Sequence, residues 1–152
     1  MAQTDPVALV NYLRRGAPRT RVGLRVAPLK QLGKEIEIFI KEGVQLVDVS
    51  QYYLEQLPQG AQFARLASRK IIETLDSIAS SPGQSDCVLI NNFDLLLSGV
   101  KDQERQEIWK ILFNGLPHRR RALIIILPDT AQQLLPNEDL MARWRQEMRI
   151  VW

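Results

Sequence analysis

The run Ala122 to Leu127 constrains the fold of this chain more than any other feature. Its six residues are all apolar, it follows Arg119-Arg120-Arg121, and it stops at Pro128-Asp129. That length suits a strand and falls far short of a membrane helix. A strand without a polar side is buried on both faces, as happens at the centre of a parallel sheet covered by helices. Cys87-Val88-Leu89-Ile90 is a second run of the same kind. Two such strands predict an α/β domain.

The remaining segments alternate accordingly. Asp5-Pro6 opens a helix to about Arg15, with Asp5 as cap and Pro6 in the first turn, where its missing N–H is harmless. Arg21 to Val26 alternates polar and apolar and reads as the first strand. Leu29, Leu32, Ile36, Phe39 and Ile40 recur at helical spacing until Gly43. Val44 to Val49 is the second strand. A short helix capped by Ser50 runs to Leu57, and a longer one runs from about Gln62 to Ala79. Asp86 to Ile90 is the third strand, followed by a short apolar segment, Phe93 to Leu97. Asp102 to Phe113 is helical and Arg121 to Leu127 is the fourth strand. Asn137 caps a helix through Gln146, and Arg149 to Trp152 forms a last short strand. Strands separated by helices imply parallel crossovers, hence a three-layer sandwich around a five-stranded, mainly parallel sheet. The 152 residues fit one domain spanning 1–152.

Composition excludes several classes. Cys87 is the sole cysteine and His118 the sole histidine, so an internal disulfide and a histidine-based metal cluster are both ruled out. The first residues lack the basic start and apolar stretch of a signal peptide. No membrane association is expected, and the expected compartment is the cytoplasm.

In open parallel sheets the chemistry lies at the carboxyl ends of the strands. Those ends are Ala27-Pro28, Ser50, Asn91-Asn92 and Pro128-Asp129. A phosphate-binding P-loop follows a strand as glycine, four residues, then Gly-Lys-Ser or Gly-Lys-Thr. The glycines let backbone N–H groups wrap phosphate, and the hydroxyl holds magnesium. The matching window here is Pro28 to Glu35. Gly33-Lys34 is retained, Pro28 replaces the first glycine, and Glu35 replaces the hydroxyl residue. The metal-side motif, an apolar strand ending in Asp and then Glu, reads here Val88-Leu89-Ile90 followed by Asn91-Asn92, with Asp94 two residues on. Asn91 lacks the charge to hold a metal and Asn92 cannot act as a base. Asp129 and Thr130 take a phosphate-sensing position after the fourth strand. The candidate nucleotide residues are therefore Gly33, Lys34, Glu35, Asn91 and Asp94, with no catalytic residue and no metal ligand assigned. No cofactor is expected, and ATP with magnesium is the alternative.

Ile90 to Leu97 resembles the metal-side (Walker B) segment of the small P-loop protein of type 3 BREX phage-defence systems, BrxF. The family segment is close to Leu-Asp-Asn-Ile-Glu-Leu-Leu-Phe. Asn92 and the pair Leu95-Leu96 match, and Asp94 stands where the family has Glu. Val47 to Ser50 before Tyr53-Leu54-Glu55 is also similar, as is the fourth strand ending in Pro128. The likeness runs from about Tyr12 to Trp152. It implies a P-loop NTPase fold with an ASCE/AAA+-like core and no lid domain. The departures at Pro28, Glu35 and Asn91 fall on the catalytic positions. The resemblance thus implies a degenerate, non-catalytic relative that contacts other protein subunits of a defence or DNA-processing complex.

Two further features concern partners. From Met1 to Lys34 there are seven Lys or Arg against one acid, Asp5, and Arg119 to Arg121 make a second basic cluster. Arg14, Arg15, Arg19, Arg21, Arg119, Arg120 and Arg121 are therefore candidate contacts for DNA or a protein. Trp152, on a strand expected at the sheet edge, is a candidate protein contact.

Overall fold

Capping residues set the helix boundaries in the computed structural model, which describes residues 5–15, 21–56, 68–81, 83, 85–115 and 121–152. Asp5 accepts from the Ala8 amide at 2.8 Å and starts α1 (Pro6–Arg14). Asn137 accepts from the Leu140 amide at 2.9 Å and starts α7 (Glu138–Gln146). Between them lie β1 (Val22–Ala27), α2 (Leu32–Lys41), β2 (Gln45–Asp48), α3 (Val49–Gln56) and α4 (Ser68–Ser80). β3 (Cys87–Asn91), α5 (Phe93–Leu97), α6 (Asp102–Lys110) and β4 (Ala122–Pro128) follow, and β5 (Ile150–Val151) comes last. Gly43 ends the α2 turn at φ +80°, a left-handed conformation that suits a residue without Cβ.

The five strands form one sheet in the order β2-β3-β4-β1-β5, and every pairing is parallel. β4 is buried along its whole length, as its apolar run requires. Alternate residues face opposite layers. Ala122, Ile124 and Ile126 join Cys87 and Leu89 under α1 and α2. Leu123, Ile125 and Leu127 join Val88 and Ile90 under α3 to α7. The domain is therefore three layers deep. Gly23 of β1 admits α1 onto the sheet, because a Cβ there would stand 2.9 Å from Leu13 Cδ1.

The order has a topological consequence. From β1 the chain crosses to the β2 edge through α2 on one face, and all later crossovers return on the other face. β1 and its neighbour β4 thus send their following helices to opposite faces. Their carboxyl ends flank the crevice where ligands sit in open α/β sheets.

β5 is held by Arg149, which is 1% exposed. Its guanidinium donates to the carbonyls of Val22 at 2.8 Å, Phe113 at 2.9 Å and Leu112 at 3.2 Å, and to Glu147 Oε1 at 3.1 Å. It also packs on the rings of Phe113 and Trp144, at 4.7 and 4.6 Å. Burial pulls its pKa down, and Glu147 opposes that shift. The Leu112 and Phe113 carbonyls belong to a π-helical turn, Ile111–Gly115, which ends α6, and the Val22 carbonyl belongs to β1.

Several boundaries differ from the sequence expectation. α3 starts at Val49, and the capping side chain is Asp48, whose Oδ1 accepts from the Gln51 amide at 3.1 Å; it is not Ser50. Leu29 and Ile40, expected on the buried side of α2, are exposed; Leu32, Ile36 and Phe39 face the sheet. The helix expected over 102–113 gives way to the π turn after Lys110. Residues 57–67, including Leu57 and Leu66, lie outside the described residues.

Candidate functional site

β1 delivers the chain to the carboxyl edge at Ala27. Pro28 (φ −55°, ψ 134°) then leads into a 3-10 turn, Leu29–Gln31, which runs directly into α2. The turn consumes its own donors. The Gln31 amide bonds the Pro28 carbonyl at 2.9 Å, and the Leu32 amide points to the Leu29 carbonyl. Pro28 has no N–H to give. The Leu29 amide donates to Asp129 Oδ1 at 3.2 Å. A phosphate-wrapping loop needs these donors turned outward, and here they are turned in.

Gly33 and Lys34 lie in the first turn of α2 and are exposed. A Cβ on Gly33 would meet nothing within 4 Å, and its φ is not in the left-handed region. No feature of the backbone requires glycine there. Glu35 is held in an ion pair with Arg25 of β1. Arg25 Nη2 donates to Glu35 Oε1 at 2.8 Å and Arg25 Nε donates to Oε2 at 3.2 Å. The two side chains are 11% and 12% exposed. Arg25 Nη1 also reaches the carbonyls of Val26 at 2.7 Å and Val151 at 3.3 Å. The pair ties α2 to β1 and β5.

At the end of β3, Asn92 adopts φ +63°, ψ 23°, a left-handed conformation that asparagine tolerates better than most residues. Its Nδ2 donates to Asp48 Oδ2 at 2.9 Å, so the β2 end braces the β3 end. Asn91 is half-buried beside Asp48, its register partner. Asp94 is half-buried in the first turn of α5, where a negative charge suits the helix dipole. After β4, Asp129 opens a second 3-10 segment, Asp129–Leu134, and Thr130 is exposed. The fold thus brings the three expected motif positions to one edge of the sheet, after β1, β3 and β4. It commits Glu35 to the ion pair with Arg25. Among the described residues no group of three or more His, Cys, Asp or Glu is placed to hold a metal ion.

The arginines expected at an interface behave differently. Arg14 Nε lies 2.9 Å from Asp86 Oδ1. Arg15 Nε bonds the Asn11 carbonyl of its own helix at 3.3 Å, and Arg21 Nε bonds the Leu13 carbonyl at 3.1 Å. Arg121 corrects the sequence reading: it is no exposed contact, being 5% exposed under Gly83 and hydrogen-bonded to Gln45 Oε1. Burial pulls its guanidinium below its ordinary pKa, against the opposing fields of Cys87 and Tyr52. Arg14, Arg21 and Arg121 all sit at the amino ends of the strands, across the sheet from the crevice. Arg19, Arg119 and Arg120 lie outside the described residues.

Trp152 follows β5 at the sheet edge and is 56% exposed, with the Arg145 guanidinium 5.9 Å from its ring centroid. No described helix is long and apolar enough to cross a membrane.

The sequence reading did not single out Arg25, Arg149 or Asp48. Arg25 left one signal, a cation in a strand ten residues before an acid on the following helix. Arg149 left none, since the carbonyls it holds, of Val22, Leu112 and Phe113, lie far along the chain. No protein-family model matches the chain, and no curated protein matches it.

Proposed function

We propose that this chain is a catalytically inactive P-loop NTPase-like domain that serves as a protein-interaction component of a prokaryotic phage-defence or DNA-processing complex. The observation that carries the inactive part is the Arg25–Glu35 pair. At the position where a phosphate loop offers a hydroxyl to magnesium, the chain has a carboxylate already held by two guanidinium nitrogens. ATP with magnesium does not fit the residues present: Pro28 offers no N–H, the Leu29 amide is bonded to Asp129, and Asn91 and Asn92 carry no charge. Placement of β4 between β1 and β3 supports the ASCE-like core that the resemblance implies, because it sets the motif positions side by side.

The interaction part rests on Trp152. Tryptophan and arginine are among the residues most enriched where interfaces draw their affinity, and here an exposed tryptophan that follows the edge strand β5 lies beside Arg145 of α7. The nucleic-acid reading is weaker, since Arg14 is paired with Asp86 and Arg121 is covered. Co-expression of the full chain with the proteins encoded beside it tests the proposal. One co-eluting complex is expected with the wild type, and at least tenfold weaker recovery with Trp152→Ala. Separate elution of the wild-type chain from all of them, or ATP turnover by it, contradicts the proposal.

A further inference from the structure

We propose that α3 and α5 form a docking surface for a basic, leucine-bearing amphipathic helix of a protein partner, centred on Leu54 and Leu95. The inference rests on the reading of this chain as an interaction component, at a surface that does not include Trp152. α3 follows β2 and α5 follows β3, the two strands are paired, and the two helices pack side by side. Val49 and Tyr53 of α3 and Phe93, Leu96 and Leu97 of α5 enter one core. Leu54 and Leu95 stay outside it, 41% and 55% exposed. Large apolar side chains left in water on adjoining helices mark a surface that gains by being covered. A helix covers such a surface with apolar residues at i, i+3 or i+4, and i+7. The charge around the leucines selects the occupant. Residues 45–56 and 91–101 carry three acids, Asp48, Glu55 and Asp94, against one cation, Lys101, a net −2 in a chain of formal charge +3. Asp48 accepts from the Asn92 side chain and the Gln51 amide, and Glu55 accepts from the Gln51 side chain. These donors are neutral, and among the described residues none of the three carboxylates is in an ion pair. An acidic rim around two leucines suits lysine or arginine beside the leucines of the occupant and repels an acidic segment.

Chemical-shift mapping of the labelled full chain tests the proposal with two synthetic amphipathic peptides of about 14 residues. Both carry the same leucine face, and the polar face is lysine in one and glutamate in the other. The leucine–lysine peptide is expected to give saturable shifts at α3 and α5, weakening as salt rises, and the leucine–glutamate peptide none. Leu54→Ser with Leu95→Ser is expected to weaken binding at least tenfold. Glu55→Gln with Asp94→Asn is expected to weaken it about threefold. Leu95→Ser alone carries the decision if the double leucine variant does not fold. Trp152→Ala is expected to leave peptide binding unchanged, so the Trp152 proposal stands or falls separately. Four results overturn the proposal: no binding at millimolar peptide, equal binding of the two peptides, shifts confined to another face, or binding that survives loss of the leucines. A concentration-dependent dimer of the chain alone that shifts the same amides assigns the surface to a second copy and overturns it as well.

Discussion

Glu35 occupies the motif position that a phosphate loop fills with a hydroxyl, and in the fold it lies 2.8 Å from Arg25 Nη2. Restoring the hydroxyl is therefore expected to harm the protein. Glu35→Thr leaves the guanidinium of Arg25 largely buried without its counter-charge, at a cost of about 2–4 kcal/mol. Urea denaturation reads this as a lower midpoint with an unchanged slope. Gly33→Ala is expected to go the other way, because a Cβ there meets only open space. Alanine in the first turn of α2 stabilises by up to about 1 kcal/mol. Arg149→Met removes the donors to the carbonyls of Val22, Leu112 and Phe113 and should cost about 3–5 kcal/mol. Arg149→Lys is expected to recover little, since an ammonium cannot reproduce the planar fork. Cys87 supplies a pH signature. Burial pushes its thiol up to about 12, so the folded state keeps a proton that the unfolded chain releases near pH 9. Its contribution to stability is complete below pH 9 and declines as pH rises toward 12. Removal of this slope in Cys87→Ala checks the assignment.

At the scale of elements, sequence legibility followed the physics of each signal. β3 and β4 were readable because a strand buried on both faces must be apolar throughout, and α1 and α7 because Asp5 and Asn137 cap within their own segments. The π turn after Lys110 was not readable, since its stabilising contacts come from Arg149, more than thirty residues away. Leu29 and Ile40 were misplaced for a related reason. They share helical spacing with Leu32, Ile36 and Phe39, but the 3-10 start rotates Leu29 off the buried face and Ile40 falls on its flank. The strand-end residues could be located from the sequence, while their partners could not. Asp129 meets Leu29 a hundred positions away only because β4 lies beside β1. Asn92→Val tests the β3 end. A β-branched residue at φ +63° without the bond to Asp48 is expected to cost about 2–3 kcal/mol, whereas Asn92→Gly keeps the conformation and loses less. Equal midpoints for the two variants contradict that account.

Across the molecule, the five-stranded sheet divides its two ends by chemistry. The amino ends of the strands hold arginines engaged by Asp86, the Leu13 carbonyl and Gln45, while the carboxyl ends hold acids and amides bonded to one another or to backbone. The carboxyl edge gathers the ends of β1, β3 and β4 and uses their acids and amides internally, and among the described residues Trp152, after β5, is an exposed aromatic. The most direct test is equilibrium binding of a fluorescent ATP analogue to the wild type and to Lys34→Ala, each with and without magnesium. No saturable binding to either protein is expected, up to millimolar nucleotide. Tight, magnesium-dependent binding that Lys34→Ala abolishes would mean the crevice still works as a nucleotide site, and would contradict the account.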